Sequence, residues 1–109
     1  MAEHLTKVRQ KGISFHGLIA ADDALGLGGM KYARENGIRI PEELSIIGYN
    51  NSMLASCCEP ELTSIDNKLE TLCQHLIDTL MGVLSGRNMP KKALFSGELI
   101  RRGTTLSQS

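Results

Sequence analysis

Short apolar runs of strand length alternate with helix-patterned stretches along nearly the whole chain, and that alternation restricts its fold more than any other feature. The runs are "SFHGLIAA" (14–21), "LSIIGY" (44–49) and "LTSID" (62–66), with "KKALFSGELIRR" (91–102) closing as a fourth strand. Strands apolar throughout, rather than at every second residue, belong to parallel sheets buried under helices. The pattern predicts an α/β fold: an open, mostly parallel sheet with helices on both faces. Between the runs, "EHLTKVRQK" carries Leu5 and Val8 at helical spacing and stops at Gly12, and "DDALGLGGMKYAREN" reads as a helix ending at Gly37. Leu69, Leu72, Cys73, Leu76, Ile77, Leu80 and Leu84 form one helical stripe. Asn67 and Glu70 predict a capping box at its start, and Gly86 its stop. Residues 50–61, "NNSMLASCCEPE", read as a long polar loop.

Composition narrows the partners. The chain has 109 residues, 41% hydrophobic and 22% charged, which suits one modest globular core. Four strands and three helices leave open sheet edges, so the chain reads as a piece of a larger domain. Twelve basic and twelve acidic side chains cancel, giving no electrostatic grip on nucleic acid or an anionic membrane. No apolar run has the length of a membrane span, and "MAEHLTKVRQK" is too polar for a signal peptide, an expectation of the cytoplasm. Cys57, Cys58 and Cys73 show neither CxxC nor Cys/His ligand spacing, so they read as buried or partly buried thiols and no metal site is expected.

Gly26, Gly28 and Gly29 in "GLIAADDALGLGG" invite comparison with a phosphate-cradling loop. Such loops place their glycines in the turn between strand and helix, where backbone N–H groups meet the phosphates. Here Asp22 and Asp23 hold the turn, and their charges oppose a pyrophosphate. The glycines fall later, inside the helix, where each costs about 1 kcal/mol relative to alanine. They point instead to a helix lying close against another surface, a dimer interface or a core crossing. Asp22 follows the first strand and Asn50 the second, both at the carboxyl edge where open α/β sheets bind ligands. A carboxylate and an amide suit the hydroxyls of a small polar molecule such as a sugar. Plain structural roles compete: an N-cap for Asp22, turn residues for Asn50 and Asn51.

In order, these stretches resemble the effector-binding domain of LacI/GalR-family bacterial transcription regulators. The residues that carry the likeness are "GLIAADDALGLGGMKYARENGIRIPEELSIIGYNN", "EPELTSID" and "GELIRRGTT", in the family's order and spacing across residues 13–105. "NNS" at 50–52 is most similar to the maltose-regulator branch. The resemblance implies a periplasmic-binding-protein-like (type I) fold, two subdomains joined by crossing strands with the effector between them. Residues 1–66 would be part of the C-terminal subdomain, 67–90 a helix returning to the N-terminal subdomain, 91–105 the closing strand and 106–109 a tail. It further implies effector contacts at Asp22 and Asn50, with acid and amide exchanged relative to many members. Leu27, Met30, Cys57 and Cys58 would meet the second subunit of a homodimer. Operator DNA would be reached only through an N-terminal headpiece outside this chain, and no cofactor, membrane or catalytic role is implied.

His4, His16 and His75 have no partner at ligand or catalytic spacing, and no Ser, Cys or Lys carries a nucleophile's motif. Arg101 and Arg102, neighbours on the last strand, face opposite sides, one a surface charge and the other paired with an acid. A phospho-accepting receiver domain is the rival reading, since it too has paired acids after its first strand, and Asp66 ends a strand here. Against it, "NKLETL" follows Asp66 as a helix start rather than a phosphorylation loop.

Overall fold

A computed structural model describes residues 1–107; the last two residues of the 106–109 tail lie outside the described residues. The order is α1 (Ala2–Gln10), β1 (Gly17–Ile19), α2 (Asp23–Glu35), β2 (Ser45–Tyr49), α3 (Met53–Ser56), β3 (Thr63–Asp66), α4 (Leu69–Leu84) and β4 (Glu98–Ile100). The four strands form one sheet in sequence order. β1 and β3 flank β2 in parallel, and β4 pairs antiparallel with β3, so the sheet is mostly parallel as its apolar strands predict.

Helix ends follow the glycines. Gly12, Gly37 and Gly86 take φ values of +80°, +65° and +78° just beyond α1, α2 and α4, the left-handed turn that ends a helix without steric penalty. Strand ends do not follow their apolar runs. β1 and β4 shrink to three residues because each pairs on one side only, and a strand without a partner has nowhere to place its backbone hydrogen bonds. The polar loop at 50–61 contains the short helix α3, held where Leu62 N–H donates to the Ala55 carbonyl at 2.9 Å.

The core lies between α2 and one face of the sheet: Met30, Ala33, Leu44, Ile46, Ala55 and Leu62, with Leu18, Leu27 and Cys58 packed against it. The interior glycines of α2 explain this closeness. A Cβ at Gly26 would stand 3.8 Å from the Gly48 Cα, and one at Gly29 would run into Leu18, so helix and strands meet at backbone distance. Of the two explanations for those glycines, the core crossing is present within the chain. On the opposite sheet face Ile19, Tyr49 and Leu99 keep 77%, 39% and 45% of their surface exposed, so these residues supply one helical layer and leave the other face open.

Gly103 and Thr104 close the bottom of the sheet. The buried Thr104 Oγ1 donates to the Ile46 carbonyl at 2.7 Å and accepts from Thr63 N–H at 2.9 Å, and its own carbonyl accepts from Ile46 N–H. α4 stands apart. Gly82 lies against Met89 and His75 meets Phe95 edge-on, but Leu69, Leu76, Ile77, Leu80 and Leu84 are exposed along the predicted stripe. Accordingly the radius of gyration is 18.1 Å, against about 13 Å for a compact domain of this size.

Tyr32 is buried and stacks on Phe15, yet its hydroxyl has no hydrogen-bond partner among the described residues. A buried unsatisfied hydroxyl costs about 1–3 kcal/mol. Tyr32→Phe is therefore expected to leave stability unchanged or raise it by about 1 kcal/mol in urea unfolding; a clear loss would show that the hydroxyl has a partner.

Candidate functional site

Among the described residues, three other than glycine have left-handed backbones: Asn50 (φ 96°), Asn51 (φ 50°) and Lys68 (φ 53°). All three line one hollow of about 780 Å³ at the carboxyl edge of the sheet, between the loops after β2 and β3. Such conformations persist only where surrounding bonds over-determine them, and they gather at functional sites. The remaining lining is polar or charged apart from Leu69: Ser52, Asp66, Asn67, Glu70 and Thr71.

The bonds that hold this loop come from three segments: the start of α2, β3 and the residues after β4. Asn50 N–H donates to the Ile65 carbonyl (2.9 Å) and Asn51 N–H to Ser64 Oγ (2.9 Å). Ser52 donates twice to Asp23 Oδ2, from its N–H (2.6 Å) and its hydroxyl (2.8 Å), while Ser64 Oγ donates to Asp23 Oδ1 (2.6 Å). Asp23 is 2% exposed and has its charge spread over three short bonds, the arrangement a buried carboxylate requires. The Asn51 side chain is held at both ends, its Oδ1 accepting from Arg102 Nη2 (2.5 Å) and its Nδ2 donating to Asp66 Oδ2 (3.2 Å). Asp66 Oδ1 in turn accepts from Lys68 N–H (2.8 Å) at the start of α4.

The two expected contact residues stand differently. Asn50 lines the hollow with its side chain exposed, and its Oδ1 accepts from Asn67 Nδ2 at 3.1 Å. That bond replaces the predicted Asn67–Glu70 capping box. α4 instead starts at Leu69 with Lys68 as its N-cap and no side-chain cap bond, because Asn67 is drawn to the β2 loop. Asp22 sits at the same edge after β1 but outside the hollow's lining, and its Oδ1 accepts from Leu25 N–H (2.8 Å) as the N-cap of α2.

The expected dimer contacts divide as well. Met30 is buried in the core (5% exposed), Leu27 and Cys58 are half-buried against it, and Cys57 is exposed. Cys57 and Cys73 are exposed rather than buried, since neither lies on the face of its segment that packs against the rest of the chain. Burial pushes the Cys58 thiol above the usual range, keeping it protonated and a poor nucleophile at neutral pH. Arg102 bonds the Leu62 carbonyl (2.8 Å) and the Asn51 amide rather than an acid, while Arg101 faces solvent. Among the described residues no three His, Cys, Asp or Glu side chains gather as metal ligands, and no helix is long and apolar enough to cross a membrane.

Asp23, Asn51, Ser64 and Arg102 were not singled out as site residues by sequence. One signal for Asp23 was available: it shares the α2 stripe of Gly26, Met30 and Ala33, so a carboxylate falls on the buried face. A second hollow, of about 500 Å³, lies at the opposite edge among Phe15, His16, Tyr32 and Leu44. Its one left-handed residue is the helix-ending Gly12, it has no polar network like that around Asp23, and the carboxyl-edge hollow is the candidate site.

The periplasmic binding protein-like domain family matches residues 2–105. An HTH-type transcriptional regulator of Lachnoclostridium phytofermentans is 48% identical over 101 residues, covering 93% of this chain and 30% of that protein. The sugar-binding transcriptional regulator of the LacI family from Escherichia coli, solved with phosphate, superposes with a TM-score of 0.85 at 31% identity, over 98% of this chain and 38% of its own. The lac repressor dimer bound to operator and the anti-inducer ONPF gives a TM-score of 0.88 at 28% identity, over 96% of this chain and 37% of its own. The chain thus spans about a third of the length of the relatives it matches.

Proposed function

This chain belongs to the periplasmic binding protein-like family, in the form carried by LacI-type transcriptional regulators, and on that premise we propose that it is the effector-binding part of such a regulator, with a sugar as effector. One observation carries the proposal. Among the described residues, the three non-glycine residues with strained backbones converge on a single hollow at the carboxyl edge of a mostly parallel sheet. Amides, hydroxyls and carboxylates around it match the alternating donors and acceptors of a polyol. A phosphorylation site fits less well, because both oxygens of Asp66 already accept hydrogen bonds.

In this proposal residues 1–66 form part of one subdomain, α4 lays its exposed stripe into the other, and residues 91–105 return. Leu27, Cys57 and Cys58 lie toward a second subunit, with Cys57 the most accessible of them, and Met30, buried in the core, backs that surface from within. Effector bound between subdomains favours one relative orientation, and a cytoplasmic dimer passes that preference to headpieces on operator DNA; no chemistry is performed.

Calorimetry with a panel of mono- and disaccharides tests this in a regulator-length protein carrying the chain. Asn50→Ala and Asp22→Ser should each weaken binding about tenfold, the cost of roughly one hydrogen bond to a ligand. Serine at 22 keeps the N-cap, so a loss there reports the carboxylate. Unchanged affinity in both variants would remove these residues from the site.

A further inference from the structure

Arg102 does not line the hollow, yet the hollow's shape depends on it. Its guanidinium is fixed by the Leu62 carbonyl at 2.8 Å, and its backbone N–H by Thr63 Oγ1 at 2.9 Å, both at the entry to β3. From there Nη2 holds the Asn51 side-chain oxygen, Asn51 Nδ2 holds Asp66, and Asp66 holds the Lys68 N–H. A single hydrogen-bonded chain therefore runs from the segment after β4, through left-handed Asn51, to left-handed Lys68 at the head of α4. The segments that it ties together are the chain's way out of the sheet, β3 into α4, and its way back, β4.

Resting on the sugar-site reading above, we infer that Arg102 is a positioning residue. It sets the Asn50–Ser52 loop without touching the ligand, and it makes the loop's conformation depend on the two crossing segments. A two-pronged guanidinium suits the task, because one prong anchors on a carbonyl while the other orients an amide. Lysine offers a point charge and cannot do both in the same geometry.

Amide hydrogen exchange read by NMR on the 109-residue chain tests the relay with no ligand present. In Arg102→Met, exchange at Asn51, Ser52 and Lys68 should quicken tenfold or more, while the α2 amides from Gly29 to Ala33 stay within twofold. Arg102→Lys should fall between, and it carries the test if the methionine variant does not fold. Equal acceleration at every protected amide would mean a merely structural role, and no change at the three sites would mean no relay; either result overturns the inference. A second arm titrates maltose, cellobiose and D-xylose into a regulator-length protein. Any of them that binds wild type should bind Arg102→Met at least tenfold more weakly, and unchanged affinity there overturns the inference too. If none binds wild type, the choice of a sugar fails, while the exchange measurement still decides the relay.

Discussion

Replacing Asp23 with alanine should lower the stability of this chain by about 3–5 kcal/mol, a large part of the 5–15 kcal/mol typical of a whole domain. The carboxylate accepts three bonds of 2.6 to 2.8 Å from Ser52 and Ser64. A hydrogen bond to a charged group is worth about 1.5–3 kcal/mol net. Their sum is offset in part because alanine also removes the desolvation of a buried charge. Hydroxyls can turn to new partners, but the Ser52 N–H cannot, so one donor is stranded. Asp23→Asn keeps the shape and one acceptor oxygen, and its loss should be about half as large. Urea unfolding at neutral pH measures both. A loss below about 1 kcal/mol in the alanine variant would mean that the bonds are replaceable by water. Because the same three bonds seat Ser52, the loop at the hollow should loosen first, visible as faster amide exchange at residues 50–52 than in α2.

Gly48→Ala should cost about 3 kcal/mol, although it adds a single methyl group. A Cβ there would overlap the Asp23 carboxylate, stand 2.8 Å from Leu62 Cδ2 and 3.3 Å from the Asp23 Cα. Overfilling a packed site typically costs about 1–3 kcal/mol. Here the group displaced is also the buried acceptor, and the Asp23 backbone behind it cannot rotate away. Gly26→Ala, directly across the helix–sheet contact, is the control. Its Cβ would press on the end of the Leu62 side chain, at 3.0 Å, which can turn aside, and would stand at an ordinary contact distance of 3.8 Å from the Gly48 Cα. Relieving a mid-helix glycine also returns about 1 kcal/mol. That variant should be close to neutral. Equal losses in the two would show that α2 shifts as a body and that the Asp23–Gly48 contact has no special weight.

Element types and helix ends were legible in the sequence because they rest on local physics. Apolar periodicity marked α2 and α4, and glycines free to adopt positive φ marked where three helices stop. The parallel sheet followed from nearly all-apolar strands alternating with helices. Strand length was not legible, since β1 and β4 extend only as far as a neighbour accepts their hydrogen bonds. The start of α4 was misjudged for a related reason: Asn67 had a better offer from Asn50, seventeen residues away, than from its own helix.

Of the candidate site, sequence located the edge. Asn50 lines the hollow, and Asp22 stands at the same edge as an N-cap. Adjacent Asp22 and Asp23 look interchangeable in one dimension, but Asp22 caps α2 on an extended backbone and stays at the rim, while Asp23, the first helical residue, falls on the buried face. The alternation of strands and helices was thus decided by residues near one another in the chain, where propensity and periodicity act. Only the tertiary structure brought Asp23 to Ser64 and Arg102 to Asn51, across 41 and 51 residues. A hydrogen bond between distant segments depends on how helices and strands pack, and no local pattern encodes that distance.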